Sequence, residues 1–288
     1  STPIVHDGVL FVHGYGDKVQ ALDAASGDLL WQYTRRLPRT VSPSLKRGMS
    51  IYGERLYVPT SDAHVVSLDV KTGDLIWDQQ VGDLEAGLRM TGGTLVARGM
   101  VMVGTTGRHG GGNYVVGLDA ETGDEAWRFG TIPGPEEPGG HTWNGIPHAA
   151  RNGGSVWVPG SYDPVHNLAF FGPGNTYDTA PLRDLVIHPE INNDGLYLDT
   201  TLALSPETGE LVWHYQLVHH DIWDYDIPSP PIVADLPNGR QIVMSVTKQS
   251  WVYTFDRLTG EPVWPIVETP VPAGDVPGEW YSPTQPFP

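Results

Sequence analysis

The sequence of 288 residues contains no cysteine. These residues therefore hold no disulfide framework, thiolate zinc site, cysteine nucleophile or CxxCH haem attachment. Basic residues are also scarce, because 17 Lys and Arg stand against 34 Asp and Glu and give a net charge of −17. That charge disfavours nucleic acid and anionic membranes as partners and favours a basic one. No apolar run approaches the length of a membrane span.

Glycine and proline, in contrast, are abundant, with 35 and 26 residues. Such a content is too high for long helices but is common in short strands joined by tight turns. The length suffices for one large domain that buries roughly three-quarters of its unfolded surface. The composition therefore predicts an all-β fold.

Five segments share one pattern, in which a short apolar strand, a turn around Gly and a strand ending in Trp follow one another. They read VQALDAASGDLLW, VVSLDVKTGDLIW, VVGLDAETGDEAW, TLALSPETGELVW and YTFDRLTGEPVW. In each, Gly follows an Asp or Ser by four residues and Trp follows Gly by four. A turn of this length places its Gly at positive φ, so each segment predicts a β-hairpin.

The Trp residues of the repeats are 46, 50, 86 and 51 residues apart, which is close to the period of four-stranded propeller blades. Apolar stretches upstream, such as TPIV with VLFV and MSIY with RLYVP, supply two more strands per unit. We therefore predict four-stranded blades at approximately 1–35, 48–80, 90–130, 154–217 and 230–266. An insertion in the fourth unit, residues 175–199, explains most of the long interval.

The recurring Trp residues are interpreted as structural. A large ring that joins neighbouring blades is needed in every copy, whereas a functional site is built once.

The segment HHDIWDYDIPSPP, residues 219–231, departs furthest from the repeat. Asp224 and Asp226 lie two residues apart, so on an extended strand both carboxylates would project from one face. That arrangement suits a hard cation, or one metal ligand beside one base. A solvated Asp-rich turn is the alternative. His219 and His220 are interpreted as hydrogen-bonding partners, since adjacent strand residues face opposite ways.

Together with the repeats, the stretches HHDIWDYD, YDPVHNLAFFGPGN and SPTQPF resemble the pyrroloquinoline quinone (PQQ)-dependent alcohol and sugar dehydrogenases. The resemblance covers nearly the whole chain. It implies an eight-bladed propeller with the quinone on its axis, above a Trp floor and beside a divalent metal. Five blades are present, so we expect a portion of a longer chain. A complete five-bladed ring is the alternative.

The resemblance also implies roles for individual residues. Asp224 matches the catalytic base, which takes the hydroxyl proton while hydride moves to the quinone. Trp157 matches the floor and is expected in the first strand of its blade, nearest the axis. The other matching positions are Arg47 and Lys248 as cations that contact the quinone, Thr91 and Thr106 as hydroxyls that hydrogen-bond it, and Asn175 as a metal ligand. PQQ carries three carboxylates, so a chain of net charge −17 needs such local cations.

The metal ligands depart from the pattern of many alcohol-oxidising members. Arg108 or His109 stands where those members place a metal-binding Glu, and Asp226 is a candidate replacement for that carboxylate. An Asp two residues after the base marks lanthanide-using alcohol dehydrogenases and also occurs in glucose dehydrogenases. We expect Asn175, Asp224 and Asp226 to hold a divalent cation, Ca²⁺ by default, with a lanthanide as the alternative.

The resemblance implies that an alcohol, polyol or sugar hydroxyl is oxidised to an aldehyde or ketone. The implied acceptor of the electrons is separate, such as a cytochrome c or a quinone, and the implied location is periplasmic. Two other classes stay open, namely a non-catalytic propeller scaffold and a glycan-acting propeller with paired acids.

Overall fold

The computed structural model of the chain describes residues 2–177, 192–277 and 279–288. Its regular structure is almost entirely antiparallel β-strand, and the helices in these ranges are two 3-10 turns, Gly140–Thr142 and His148–Ala150. The predicted all-β fold of four-stranded antiparallel sheets is confirmed.

The strands are numbered β1 to β23 along the chain. The first sheet contains β1–β4: Ile4–His6, Val9–Gly14, Lys18–Asp23 and Leu29–Thr34. The second contains β5–β8: Ser50–Tyr52, Arg55–Pro59, His64–Asp69 and Leu75–Gln80. Next along the chain is β9, Leu88–Arg89. The third sheet contains β10, β11, β13 and β14: Leu95–Ala97, Met100–Gly104, Tyr114–Asp119 and Glu125–Gly130.

The strand β12, Thr106–Gly107, pairs with β9 in a separate two-stranded ladder. The fourth sheet contains β15–β18: Ser161–Asp163, Leu168–Phe171, Thr200–Leu204 and Leu211–Gln216. The fifth contains β19–β21: Ile232–Asp235, Gln241–Val246 and Val252–Asp256. The strands β22 and β23, Val267–Pro270 and Thr284–Phe287, form a hairpin.

Every four-stranded sheet is a meander in which strand order follows chain order. The first strands of successive sheets, β5, β10, β15 and β19, lie beside one another. Apolar clusters fill the spaces between successive sheets, as with Phe11 and Val66 between the first two sheets or Phe170 and Tyr253 between the last two. Face-to-face burial of this kind is what stacks the repeats.

The Trp of each of the first four repeats packs on the turn Gly of the next sheet. Their indole N–H groups donate to carbonyls of that next turn, from Trp31 to Val70 at 2.9 Å, Trp77 to Ala120 at 3.1 Å, Trp127 to Pro206 at 2.8 Å and Trp213 to Arg257 at 3.2 Å. A Cβ on the facing glycine would lie 2.3 to 2.8 Å from the ring. The structural interpretation of these Trp residues is therefore correct.

The five turn glycines have φ between 69° and 81°, as the hairpin pattern predicts. In the first four repeats the ladder also shifts by one residue beside the turn, which is typical of a turn with a bulged glycine. Glycine is thus required twice at positions 73, 123, 209 and 260, for its backbone angle and for the close indole ring.

The prediction of four strands is wrong for the fifth unit, where three strands form and only a single bridge, Phe255 to Pro262, continues the hairpin. The two bonds of that bridge are donated by the N–H groups of Asp256 and Val263, to the Glu261 and Thr254 carbonyls, and the chain bends at Val263 and Trp264 directly after it. Trp264 is 60 % exposed, and no turn in the described ranges covers it. Of the insertion predicted at 175–199, residues 178–191 lie outside the described residues.

Candidate active site

The predicted site residues lie at one end of the sheets. In an antiparallel meander, the connection that enters the first strand and the one that leaves the second strand lie at the same end. Arg47, Thr91, Trp157, Asp224 and Asp226 precede first strands, and Thr106, Asn175 and Lys248 follow second strands. Since the first strands adjoin, the topology gathers these connections from four different sheets.

Trp157 is the centre of this cluster. The Arg47 guanidinium carbon lies 4.6 Å from the centroid of its ring and the Lys248 ammonium lies 5.8 Å from it, both within cation–π range. Its Nε1 is buried and has no hydrogen-bond partner in the described structure. The indole therefore has two cations beside it and a polar atom that no described side chain satisfies.

The expectation that Trp157 lies in a first strand is wrong. The strand of its blade begins four residues later, at Ser161, and residues 151–160 have no regular structure. Gly153 and Gly154 have φ of 107° and 61°, which breaks the extended conformation just before it. A hydrogen bond from Val156 N–H to the Thr105 carbonyl, 3.0 Å, fixes the segment against the third sheet instead.

Arg47 is held by backbone and has no anionic partner. Its guanidinium donates to the Thr91 carbonyl at 3.1 Å, and its own N–H donates to the Gly92 carbonyl at 3.2 Å. Burial lowers the pKa of Arg47, and no carboxylate in the described ranges forms an ion pair with it. A half-buried guanidinium of this kind is suited to an anionic ligand.

Lys248 joins the two predicted acidic residues. Its ammonium lies 2.9 Å from Asp224 Oδ2 and 3.2 Å from Asp226 Oδ2. Partial burial opposes its charge, but both carboxylates outweigh that effect and raise the pKa of Lys248. Asp224 is 65 % exposed and therefore accessible, whereas Asp226 is only 9 % exposed.

Asn175 is attached to the same cluster through its backbone, because its N–H donates to Asp226 Oδ1 at 2.8 Å. Gly174 makes this approach possible, since a Cβ there would lie 2.4 Å from the same carboxylate oxygen. The cluster thus has two carboxylates and an Asn on adjacent chain segments. The described residues contain no group of three His, Asp or Glu side chains arranged around a metal position.

The extended strand expected at 219–231 does not form. Residues 217–227 consist of bends and irregular backbone, and Asp224 adopts φ of 63°. The two carboxylates nevertheless converge on Lys248, through the bends and not through strand alternation. His219 Nε2 lies 3.0 Å from Glu268, and His220 Nδ1 lies 2.7 Å from the Asn193 carbonyl, so both act as hydrogen-bonding partners.

The remaining candidates lie at the same end but are less directly connected. Thr91 contributes its carbonyl to Arg47 and lies in a loop. Thr106 is buried in β12, and the next residue, Gly107, donates its N–H to Ser155 Oγ at 3.3 Å. At the position of the family's metal-binding Glu, His109 Nδ1 contacts the Ala86 carbonyl at 3.0 Å, and the Arg108 guanidinium lies 5.9 Å from the Tyr177 ring.

Sequence reasoning missed two buried carboxyls next to the cluster. Asp221 Oδ1 accepts the Trp223 N–H at 2.8 Å, and its Oδ2 accepts the Tyr225 N–H at 2.6 Å. Asp199 is fully buried behind it. An Asp side chain that accepts the backbone N–H two residues later is a common turn motif, so the sequence could have indicated the role of Asp221. Nothing in the sequence indicates that Asp199 is buried beside it.

Comparison with known proteins identifies the family of the chain. Residues 1–288 match the PQQ family described as the glucose/ethanol/alcohol dehydrogenase, beta-propeller domain. The chain therefore belongs to the PQQ-dependent dehydrogenase family.

Individual relatives are quinoprotein enzymes. The chain is 35 % identical over 280 residues to quinohemoprotein alcohol dehydrogenase ADH IIB of Pseudomonas putida, covering 91 % of this chain and 40 % of that protein. It is 34 % identical over 289 residues to the dehydrogenase subunit of the alcohol dehydrogenase (quinone) of Gluconacetobacter polyoxogenes, covering 90 % and 39 %. The chain thus spans about 40 % of the length of these relatives.

Solved structures show the same relationship. The quinohemoprotein alcohol dehydrogenase from Comamonas testosteroni superposes with a TM-score of 0.79 at 28 % identity, over 99 % of this chain and 45 % of that one. A europium-containing methanol dehydrogenase gives a TM-score of 0.78 at 26 % identity, over 91 % and 50 %. In the described ranges, no helix is long and apolar enough to cross a membrane.

Proposed function

We propose that this chain forms part of a PQQ-dependent dehydrogenase that oxidises an alcohol hydroxyl to an aldehyde or ketone. The observation that carries the proposal is the Trp157 ring, beside which lie two cations, one of them paired with Asp224 and Asp226. Family membership and the names of the relatives support an alcohol as substrate.

The residues present suit PQQ. A flat aromatic anion needs a stacking surface and positive charge, which Trp157, Arg47 and Lys248 supply together. The Arg47 guanidinium without a carboxylate partner and the unsatisfied Trp157 Nε1 are the two features that a bound polar ligand would satisfy. We assign Thr91 and Thr106 as further polar contacts at the same end of the sheets.

PQQ, when bound, supplies an ortho-quinone that accepts hydride from the substrate carbon. Asp224 is the proposed base, because its carboxylate is exposed and lies beside Lys248, the cation near the Trp157 ring. In this role an Oδ atom of Asp224 takes the proton of the substrate hydroxyl. Lys248 keeps a positive charge beside that carboxylate and beside the Trp157 ring. Arg47 orients anionic groups on the same indole.

We assign Asn175, Asp224 and Asp226 as the residues that hold a cation, with Ca²⁺ as the default and a lanthanide as the alternative. Carboxylate and amide oxygens are the ligands that such hard cations prefer. The carboxylates of Asp224 and Asp226 already share one positive charge, that of Lys248. Cytochrome c or a quinone is the proposed electron acceptor, and the net charge of −17 favours a basic one.

The test is alcohol-dependent reduction of an artificial dye by the full-length protein reconstituted with PQQ and Ca²⁺. Asp224→Asn should lower kcat by roughly 10²–10⁴-fold, the usual contribution of a general base. Asp235→Asn removes a carboxylate paired with Arg257, outside the cluster, and should leave kcat unchanged. Parent-level turnover by Asp224→Asn would reject the base, and no dye reduction by the parent with any alcohol or sugar would favour a non-catalytic scaffold.

A further inference from the structure

The loop that carries Asp224 is anchored by one buried carboxylate. Asp221 is 1 % exposed, and its two oxygens accept the N–H groups of Trp223 and Tyr225, the residues on either side of Asp224. Here the two N–H donors bond to different oxygens of one side chain, an arrangement that an Asp carboxylate supplies and an Asn side chain, with one oxygen and one NH2 group, does not. This bracket holds Asp224 at its φ of 63°, a conformation that a non-glycine residue rarely adopts.

Behind Asp221 lies a second carboxyl with no donor of its own. Asp199 is fully buried, and among the described residues no N–H or O–H donor reaches either of its oxygens. The side chain within hydrogen-bond reach is the Asp221 carboxylate. An isolated ionised carboxylate is very costly to bury, and two of them in contact are more costly still.

A shared proton resolves this conflict. Burial, followed by repulsion from Asp221 and Asp226, raises the pKa of Asp199 well above its usual range, so that it is the neutral member of the pair. Burial also raises the pKa of Asp221, but the two backbone N–H bonds oppose that shift. The donors thus favour ionised Asp221, and Asp221 in turn favours a proton on Asp199.

We propose that Asp199 and Asp221 are positioning residues for Asp224: Asp199, as a carboxylic acid, donates its O–H to Asp221, whose carboxylate fixes the backbone on both sides of the base. The catalytic consequence rests on the proposed function of Asp224. The anchoring itself is a property of the loop and is measurable without catalysis.

Variants of Asp199 test the proton. Asp199→Asn retains a donor of the same shape and should keep kcat within about threefold of the parent, whereas Asp199→Leu removes the donor. Loss of a hydrogen bond to a charged group corresponds to about a 10- to 100-fold fall in kcat for Asp199→Leu. Rates are expressed per bound PQQ, so that a smaller folded fraction does not lower them. Equal rates for the two variants would overturn the assignment of the proton.

Variants of Asp221 test the bracket. Asp221→Asn places an NH2 group against one of the two N–H donors and should also lower kcat roughly 10- to 100-fold. Substrate KM and PQQ affinity should change less than threefold, because Asp221 is not placed against the Trp157 ring. The control, Asp163→Asn, removes a fully buried carboxylate that pairs with Arg257 and His166. It should lower thermal stability without lowering kcat per bound PQQ.

Hydrogen exchange separates the anchor from the chemistry. The Trp223 and Tyr225 amides should exchange at least tenfold faster in Asp221→Asn and in Asp199→Leu than in the parent, and at the parent rate in Asp199→Asn. That pattern would support the anchor even if Asp224→Asn kept full turnover and rejected the base. Unchanged exchange in Asp221→Asn would overturn the anchor, whatever happened to kcat.

Discussion

The contact between each repeat Trp and the next turn glycine makes a stability prediction with a matched control inside one sheet. Gly99 and Gly123 both belong to turns of the third sheet and have φ of 77° and 81°. A Cβ on Gly99 would meet nothing within 4 Å, whereas a Cβ on Gly123 would lie 2.8 Å from the Trp77 ring. Gly99→Ala therefore reports the backbone cost alone, and Gly123→Ala reports that cost together with the displaced ring.

The expected magnitudes follow from these two terms. Alanine in the left-handed region costs about 1–2 kcal/mol, which applies to both variants. Overpacking at the ring adds about 1–3 kcal/mol in Gly123→Ala. Loss of the 3.1 Å bond from Trp77 Nε1 to the Ala120 carbonyl adds about 1 kcal/mol. Gly123→Ala should thus be the less stable of the two by about 2–4 kcal/mol.

The assay is urea denaturation followed by tryptophan fluorescence, with both variants measured beside the parent at equal protein concentration. The unfolding midpoint of Gly123→Ala should fall well below that of Gly99→Ala. In a Trp77→Leu background the cost of Gly123→Ala should be smaller than in the parent, because the smaller side chain leaves room for the new methyl group. Equal midpoints for the two single variants would refute the idea that the ring contact, and not the backbone angle, requires glycine at 123.

Three further predictions concern the site and the acid limit of stability. Trp157→Leu should weaken PQQ binding by roughly 10- to 100-fold, because one stacked aromatic ring contributes about 1–3 kcal/mol. The measurement is fluorescence titration of the apo protein with PQQ. An affinity equal to that of the parent would show that the Trp157 indole does not contact PQQ. Chelation with EDTA should abolish dye reduction, and added Ca²⁺ should restore it. Activity that survives complete chelation would contradict a required cation. The variant Lys248→Met is expected to bind PQQ more weakly than the parent. Burial lowers the pKa of His214, so the folded state favours the neutral imidazole. The contribution of this residue to stability is therefore present above the unfolded pKa of about 6.5 and is lost as the pH falls below it. The unfolding free energy of His214→Gln should decrease less between pH 7 and pH 5 than that of the parent, and an equal decrease would contradict this assignment.

Local patterns were the part of the fold that the sequence predicted well. The turn glycines and the docking Trp residues follow from short-range backbone geometry that recurs in each repeat, so five copies of one spacing were enough to identify them. The fourth strand of the fifth repeat was overpredicted, because the chain bends at Val263 and Trp264 after a single bridge and no described turn packs on Trp264.

The sequence indicated which residues the fold gathers at one end of the sheets, but not the backbone conformation that gathers them. The expectations were that Trp157 lies in a first strand, as the resemblance implies, and that Asp224 lies on an extended strand. Glycines at positive φ interrupt the segment before Trp157, and the hydrogen bonds of Asp221 fold the segment around Asp224 into bends. Asp199 could not be identified, because its effect depends on a contact between segments 22 residues apart and on complete burial.

The packing of Trp213 against the turn at Gly260 joins the fourth sheet to the fifth, far from the axis. Trp157 belongs to the connections of the fourth sheet, and Lys248 and Asp224 belong to those of the fifth. The spacing between the proposed quinone platform and the proposed base is therefore set at the periphery as well as at the centre. The arrangement of the proposed site therefore depends on an outer seam between two sheets that lies outside the site itself.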